Sequence, residues 1–168
     1  RATFGAGESG EVTLNTGPQG NTDLFVAALN GDGTLAWAKR AGGGGWDLAF
    51  AVALDTGGGA AVVGTYGGPV GASATFGPGE PGQTVLPPVF NNSYEVFVAR
   101  YDASGALMWV RKGGGPSEYD EAYGVSISAD QSVTAVGRFA DTMTLNPGEP
   151  NAADAAAPRL GCGGPPRS

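Results

Sequence analysis

The chain has 168 residues, among them 31 glycines and 12 prolines, and a hydrophobic fraction of 41%. Its net charge of −7 argues against a nucleic-acid partner, because phosphate binding relies on clustered Lys and Arg. It has no histidine, which is the commonest general base and metal ligand, and no apolar run long enough to predict a membrane span. We therefore expect no cofactor, no metal ion and no Ser-His-Asp triad.

The first elements along the chain are two predicted β-hairpins. Residues 23–29 and 34–40 are β-rich runs that flank a turn-type sequence at residues 30–33, which ends in glycine. In the second hairpin, residues 49–54 pair with residues 60–66. No segment has sustained helical periodicity, so the sequence predicts an all-β chain.

The same elements return one repeat later. Residues 2–8 (ATFGAGE) recur as residues 74–80 (ATFGPGE), and Trp37 recurs as Trp109, both at an offset of 72 residues. One additional residue in a glycine loop makes the offset 73 for the rest of the repeat. The predicted divisions are repeat 1 at about residues 2–73, repeat 2 at about residues 74–143, the start of a third repeat at residue 144, and an irregular Ala/Pro/Gly-rich tail at residues 151–168.

The hydrophobic pattern narrows the fold further. Residues 24–29 are apolar at every position, whereas a strand with one face in water would alternate. Strands that are apolar on both sides must be covered on both faces, and the radially stacked blades of a β-propeller provide that cover. We predict an all-β fold of β-propeller-like blades, about two four-stranded blade equivalents. Another stacked-hairpin arrangement or a β-sandwich is the alternative.

The repeated strands also resemble a known family. The pattern resembles the β-propeller repeats of bacterial secreted and cell-surface proteins over roughly residues 1–150, although only about two repeats are present. The resemblance implies a secreted or cell-surface location and a role as a scaffold or interaction surface. The residues that carry it are Asp23, Phe25, Val26, Ala27, Gly33 and Trp37 in the first repeat, and Phe97, Val98, Ala99, Tyr101, Asp102, Gly105 and Trp109 in the second.

The strongest candidate for a binding site is a pair of neighbouring residues in the glycine loop of each repeat. Trp46-Asp47 recurs as Tyr119-Asp120. In a propeller these loops ring one mouth of the central channel, where an aromatic face beside a carboxylate could hold a sugar ring or a cation. The alternative is structural: the aspartate accepts backbone N–H bonds and fixes the loop, while the aromatic ring packs between blades.

Other residues receive structural interpretations. Trp37 and Trp109 are expected to be largely buried at equivalent places. Residues 30–34 are only faintly similar to a calcium loop, and turn chemistry explains them better. No pair of carboxylates is positioned across a cleft, so we expect no enzyme. Cys162 has no cysteine partner within the chain.

The order of the hairpins predicts an assembly. The chain starts with an outer hairpin at residues 23–39 and ends with an inner hairpin at residues 122–139, with one complete blade at residues 49–112 between them. Closed propellers have typically four to eight blades. We therefore expect either self-association, head to tail, into a ring or filament, or the remainder of a longer polypeptide. The predicted function is a non-enzymatic extracellular structural module; the alternative is a glycan- or protein-binding module.

Overall fold

The chain is a stack of short antiparallel strands. The computed structural model describes residues 1–17, 21–68, 72–116, 119–150 and 152–156. Within these ranges it contains strands and no helix, which confirms the all-β prediction. The strands are β1 (Ala2–Phe4), β2 (Val12–Leu14), β3 (Leu24–Leu29), β4 (Leu35–Gly43), β5 (Leu48–Leu54), β6 (Ala60–Gly68), β7 (Ala74–Phe76), β8 (Thr84–Leu86), β9 (Ser93–Tyr101), β10 (Leu107–Gly114), β11 (Glu121–Ile127), β12 (Val133–Arg138), β13 (Thr142–Leu145) and β14 (Ala153–Ala156).

Each repeat consists of three hairpins: one short and two long. The first repeat has the short hairpin β1–β2 and the long hairpins β3–β4 and β5–β6; the second repeat has β7–β8, β9–β10 and β11–β12 in the same order. A third short hairpin, β13–β14, follows. Residues 2–8 therefore recur because they build the start of the same short hairpin.

The third short hairpin corrects the expectation of an irregular tail from residue 151. Ala153–Ala156 form strand β14, whose pairing with β13 extends from Thr142↔Ala156 to Leu145↔Ala153. A strand that adds to an existing edge is held by backbone hydrogen bonds and needs no apolar pattern of its own. The hydroxyl of Thr144 also donates to Asp154 across the pair, at 2.7 Å. Residue 151 and residues 157–168, with Cys162, lie outside the described residues.

The long hairpins form three stacked layers. The first layer has the strand order β3-β4-β7-β8, the middle layer β5-β6-β9-β10 extended by β13 and β14, and the third layer is the hairpin β11–β12. The middle layer thus joins the second long hairpin of repeat 1 to the first long hairpin of repeat 2. Its four long strands are those expected for one complete blade.

The middle layer is covered on both faces. One core cluster joins it to the first layer, with Leu24 and Phe76 on one side and Val62 and Phe97 on the other. A second cluster joins it to the third layer. Val62 and the adjacent Val63 belong to different clusters because successive side chains in a strand point to opposite faces. The continuous apolar run of β6 fits this two-sided packing, but the expectation of cover on both faces is wrong for residues 24–29 within one copy. Strand β3 lies in the first layer, which packs against the middle layer on one face only, so Leu24 and Val26 are buried while Phe25 and Leu29 are exposed.

The repeated Val-Gly sequence at the end of each second long hairpin has a steric cause. A Cβ on Gly64 would lie 1.9 Å from the carbonyl oxygen of Leu48, and one on Gly137 would lie 2.0 Å from that of Glu121. Each glycine stands beside a β-bulge, at Ala49/Ala51 in β5 and Ala122/Gly124 in β11. The backbones come close enough at both bulges that only glycine fits.

Candidate functional site

The two aspartates of the expected binding loops are buried. Asp47 is 1% exposed, and its Oδ2 accepts a hydrogen bond from the backbone N–H of Gly43 at 2.8 Å. Asp120 is also buried, and its Oδ1 accepts one from the backbone N–H of Ala140 at 3.2 Å. Both carboxylates therefore accept backbone N–H bonds, as the structural alternative for these residues proposes: Asp47 within its own loop, and Asp120 from the segment that follows β12. Neither carboxylate faces solvent.

Burial also changes the acidity of these carboxyl groups. Removal from water raises the pKa of Asp47 to about 6, although hydrogen bonds from Gly43 and Gly67 oppose the increase. Burial raises the pKa of Asp120 in the same direction, against the hydrogen bond from Ala140. The equivalent loops of the two repeats therefore share one geometry and one electrostatic character.

The aromatic residues next to these aspartates point outward. Trp46 and Tyr119 are both exposed, and Tyr94 lies between them. The ring centroids of Trp46 and Tyr94 are 6.5 Å apart, and those of Tyr94 and Tyr119 are 5.3 Å apart with nearly parallel planes. Tyr94 belongs to no motif of the sequence that predicted a binding site. A ligand on this aromatic row stays a prediction, and it would rest on ring contacts alone because the carboxylates are buried.

Trp37 connects one layer to the next. Trp37 and Trp109 are both partly buried, and Trp37 packs against the core cluster between the first and middle layers. Its Nε1 donates to the carbonyl oxygen of Ala103 at 3.1 Å, and a Cβ on Gly105 would lie 2.5 Å from its ring. The indole of Trp37 therefore covers the β9–β10 turn of the neighbouring layer.

The turns of the first long hairpins are closed by their own side chains. Asp32 Oδ1 accepts hydrogen bonds from the backbone N–H and the hydroxyl of Thr34, at 3.0 Å and 2.7 Å. Asp102 Oδ1 accepts the equivalent pair from Ser104, at 2.8 Å and 2.7 Å. The hydroxyl groups of Thr34 and Ser104 lower the pKa of their respective aspartates. Turn chemistry therefore accounts for these residues, as the sequence suggested.

The outer edges of strands β12 and β3 have no strand partner among the described residues. Inside the chain, β6 pairs with β9 over nine residue pairs, from Ala60↔Tyr101 to Gly68↔Ser93. Strand β12 is the repeat equivalent of β6, and β3 is the equivalent of β9. Among the described strands, β12 pairs only with β11, and β3 pairs only with β4. The edges that form the β6–β9 junction are thus present a second time, unpaired, at the two ends of the stack.

Exposed apolar side chains accompany the open edges. Val136 in β12 is 62% exposed, whereas its equivalent Val63 is 0% exposed. Phe25 in β3 is 55% exposed, whereas its equivalent Phe97 is 0% exposed. A cleft of about 330 Å³ lies beside β3, and Phe25, Phe50 and Val52 are among the residues that line it. These surfaces are the second candidate for an interaction site.

Comparison with known proteins adds no relatives: no protein-family model matches the chain, and a search of curated proteins finds no match. Over the described part of the chain, no helix has the length and apolarity needed to cross a bilayer. Sequence reasoning did not identify Val136, Phe25 or Val52 as interaction residues. The signal that could have identified Val136 and Phe25 is the repeat offset, which maps them onto Val63 and Phe97, both fully buried.

Proposed function

We propose that this chain is a structural repeat module that associates head to tail with further copies of itself. Strand β12 of one copy pairs with β3 of the next copy, and the hairpin β11–β12 completes the first layer of that copy. The observation that carries the proposal is the β6–β9 junction, which the chain already forms between its own two repeats. The new contact repeats a contact for which both strand edges are built.

The internal junction specifies the register of the contact. Ala60↔Tyr101 becomes Val133 against Leu29 of the next copy, and Val63↔Val98 becomes Val136 against Val26. The pairing supplies hydrogen-bond partners to backbone groups on both open edges. Open strand edges are prone to pairing with other chains in this way.

Side-chain packing supports the same contact. Val63 and Val125 share the core cluster between the middle and third layers. Their repeat equivalents are Val136 and Val52, which are both exposed. Docking brings Val136 of one copy against Val52 of the next, in the cleft beside β3. Each apolar side chain of this size that becomes buried contributes roughly 1.5–3 kcal/mol.

A tryptophan contact also supports it. Gly33 and Gly105 end equivalent turns with φ of 89° and 80°. A Cβ on Gly105 would meet Trp37, whereas one on Gly33 would have no atom within 4 Å. Trp109 of one copy therefore covers the turn at residues 30–33 of the next copy, as Trp37 covers the turn at residues 102–105.

The symmetry of the contact sets the possible assemblies. Different surfaces of each copy meet, so the interface is heterologous and leads to a ring if the rotation closes and to a filament if it does not. The role is structural and not enzymatic, and it fits the secreted or cell-surface location that the resemblance implies.

Light scattering over a concentration series tests the proposal. We expect the wild-type chain to give multiples of 16.7 kDa. Val136→Asp or Val52→Asp should each keep the chain monomeric, because a carboxylate would be buried in the interface. Mixing the two variants should give a dimer and nothing larger, since one variant keeps an intact β12 surface and the other an intact cleft.

Val85→Asp is the matched control. Val85 is an exposed valine in a strand, like Val136 and Val52. Its equivalent in the middle layer is Asp154, which is exposed even though the first layer packs on the middle layer. Docking of a second copy should therefore leave Val85 exposed. The control variant should assemble like the wild type. A wild-type chain that remains a folded monomer at high concentration contradicts the proposal, and so does assembly that Val136→Asp leaves unchanged.

A further inference from the structure

The three short hairpins make different subsets of one set of contacts. The complete set belongs to β7–β8. Strand β7 pairs with β4 of the first layer from Ala41↔Phe76 to Gly43↔Ala74. The same hairpin packs on the middle layer, where the rings of Phe76 and Phe97 are 4.9 Å apart. It therefore joins two layers, one by strand pairing and the other by packing.

A carboxylate completes the packing side of β7–β8. Glu80 Oε2 accepts a hydrogen bond from the backbone N–H of Leu107 at 3.0 Å. Glu80 Oε1 also forms an ion pair with Lys39 of β4, at 2.5 Å. The turn of the hairpin is thus held by both layers at once.

The first short hairpin, β1–β2, makes only the packing half of this set. The rings of Phe4 and Phe25 are 5.0 Å apart, and Glu8 Oε2 accepts a hydrogen bond from the backbone N–H of Leu35 at 2.8 Å. Among the described strands, β1 and β2 pair only with each other. The outer edge of β1, which is the equivalent of the β7 edge that pairs with β4, is open.

The third short hairpin, β13–β14, makes only the strand-pairing contacts of this set. Strand β13 pairs with β10 through Gly113↔Leu145 and Gly114↔Thr144. Leu145 is the equivalent of Phe4 and Phe76, and it is exposed. The long hairpin against which it would pack, as Phe76 packs on Phe97, is the one that docking of a second copy would supply.

When two copies meet, β1–β2 of one copy and β13–β14 of the other cannot both occupy the edge of β10. A second copy that docks its β3 on β12 brings its own β1–β2 hairpin, already packed on its β3–β4 hairpin, to the edge of β10. We infer that β13–β14 occupies the place that β1–β2 of the incoming copy must take, so that the two hairpins compete and association requires the release of β13–β14. This inference rests on the proposed function and adds a step to it.

Either hairpin could make the full set of contacts once a second copy docks, and the packing residue favours the incoming one: β1–β2 brings Phe4, whose ring already packs on Phe25, whereas β13–β14 would bring the smaller Leu145. In the docked position β1–β2 keeps its packing on Phe25 and gains pairing with β10, which gives it the full set of contacts that β7–β8 makes. Glu8 also comes next to Arg111, the equivalent of the Lys39 that pairs with Glu80. Release of β13 removes the buried Met143 from the core, and this opposes the exchange. The chain therefore caps its own docking surface until a second copy replaces the cap.

The same substitution at equivalent threonines should act in opposite directions. Thr3 in β1 and Thr144 in β13 occupy equivalent positions, and proline at either position removes a backbone donor and breaks the short strand. We expect Thr144→Pro to lower the concentration at which full-length copies assemble by roughly tenfold, because the competing hairpin is weakened. Thr3→Pro should raise that concentration by a similar factor, because the incoming hairpin can no longer pair with β10.

A reversible tether gives a second test in the full chain. Gly113→Cys with Leu145→Cys, in a Cys162→Ser background, places a disulfide across a β10–β13 residue pair. The oxidised protein should stay monomeric at concentrations where the reduced protein assembles. Thr75→Cys with Val85→Cys is the control, because it closes the β7–β8 hairpin, which does not move; oxidation should leave its assembly unchanged.

The outcomes separate this inference from the proposed function. If the wild type assembles but both proline variants shift association in the same direction, or the oxidised tether assembles normally, the competition does not exist while head-to-tail docking stands. If the wild type and Thr144→Pro are both monomeric at every concentration, the docking itself is wrong and the inference is overturned with it.

Discussion

Strands β6 and β12 have matching patterns and opposite surroundings. Residues 61–66 read AVVGTY and residues 134–139 read TAVGRF, with the same glycine beside the same kind of bulge. Every residue of β6 is buried, whereas most of β12 is exposed. The difference arises because β6 has a layer on each of its faces and a strand paired at each of its edges. Strand β12 is covered by the middle layer on one face and is paired with β11 at one edge only. The same hydrophobic pattern therefore suits burial in both strands, and the presence of a neighbouring layer and strand decides whether the residues are buried.

The largest expected effect compares the two equivalent phenylalanines of β3 and β9. Phe97→Ala should lower the free energy of unfolding by about 3–5 kcal/mol, since it empties a fully buried site. Phe25→Ala should cost about 1 kcal/mol or less in the monomer, because its ring is exposed and touches mainly Phe4. Urea unfolding in the Val136→Asp background, which keeps the chain monomeric, measures both values. Equal losses would mean that Phe25 is already covered within one copy.

The glycine loops extend the comparison to a feature that is buried in both repeats, the loop aspartate. The pKa of Asp47 is raised to about 6 in the folded chain, above the usual value of about 3.9 in the unfolded chain. The stability that this group contributes is therefore fully present below about pH 4 and is lost as the pH rises through 6, a change of about 3 kcal/mol. Burial raises the pKa of Asp120 as well, and its effect has the same sign.

Urea unfolding between pH 4 and pH 7 measures this dependence. Asp47→Asn should flatten the slope, because the amide does not ionise. Asp32→Asn is the control: the pKa of Asp32 is lowered by Thr34, so any contribution from this group is lost only at more acidic pH. A slope that Asp47→Asn leaves intact would mean that the loop carboxylate is hydrated.

The smallest expected difference compares the two turn glycines. Both have positive φ, so alanine at Gly33 or Gly105 should cost about 1 kcal/mol in backbone strain. Gly105→Ala should cost about 1–2 kcal/mol more, since its methyl group would displace the ring of Trp37. Thermal unfolding of the two variants under monomeric conditions measures the difference. Equal effects would show that the Trp37 contact yields easily.

Sequence reasoning predicted the long hairpins and the repeat well, because turn chemistry and strand period are local properties. It did not predict the short hairpins as structural elements. Their strands are three or four residues long, which is too short to show the apolar–polar alternation by which strands are predicted. Two of them add to an existing strand edge, since β7 pairs with β4 and β13 pairs with β10, whereas β1 pairs only with β2. Strand β14, in a segment expected to be irregular, shows the same dependence on an existing edge.

The two residues of the expected binding pair in the first repeat do not face the same side, and the reason is geometric. Trp46 and Asp47 are neighbours in an extended segment, so their side chains point to opposite sides. The aspartate lies inside, bonded to the loop, and the tryptophan lies outside, next to Tyr94. Tyr94 could have been found only by knowing that the start of β9 lies beside both glycine loops.

The sequence by itself determined the all-β class, the places of the long hairpins and the internal repeat, because apolar runs, turn residues and a fixed offset are written along the chain. Tertiary structure alone decided which equivalent residues are buried. Val63 and Val136 have the same neighbours in sequence, and only the stacking of layers places one in a core and leaves the other at an edge. Burial depends on what lies across a face, and that partner is distant in the chain or belongs to another copy.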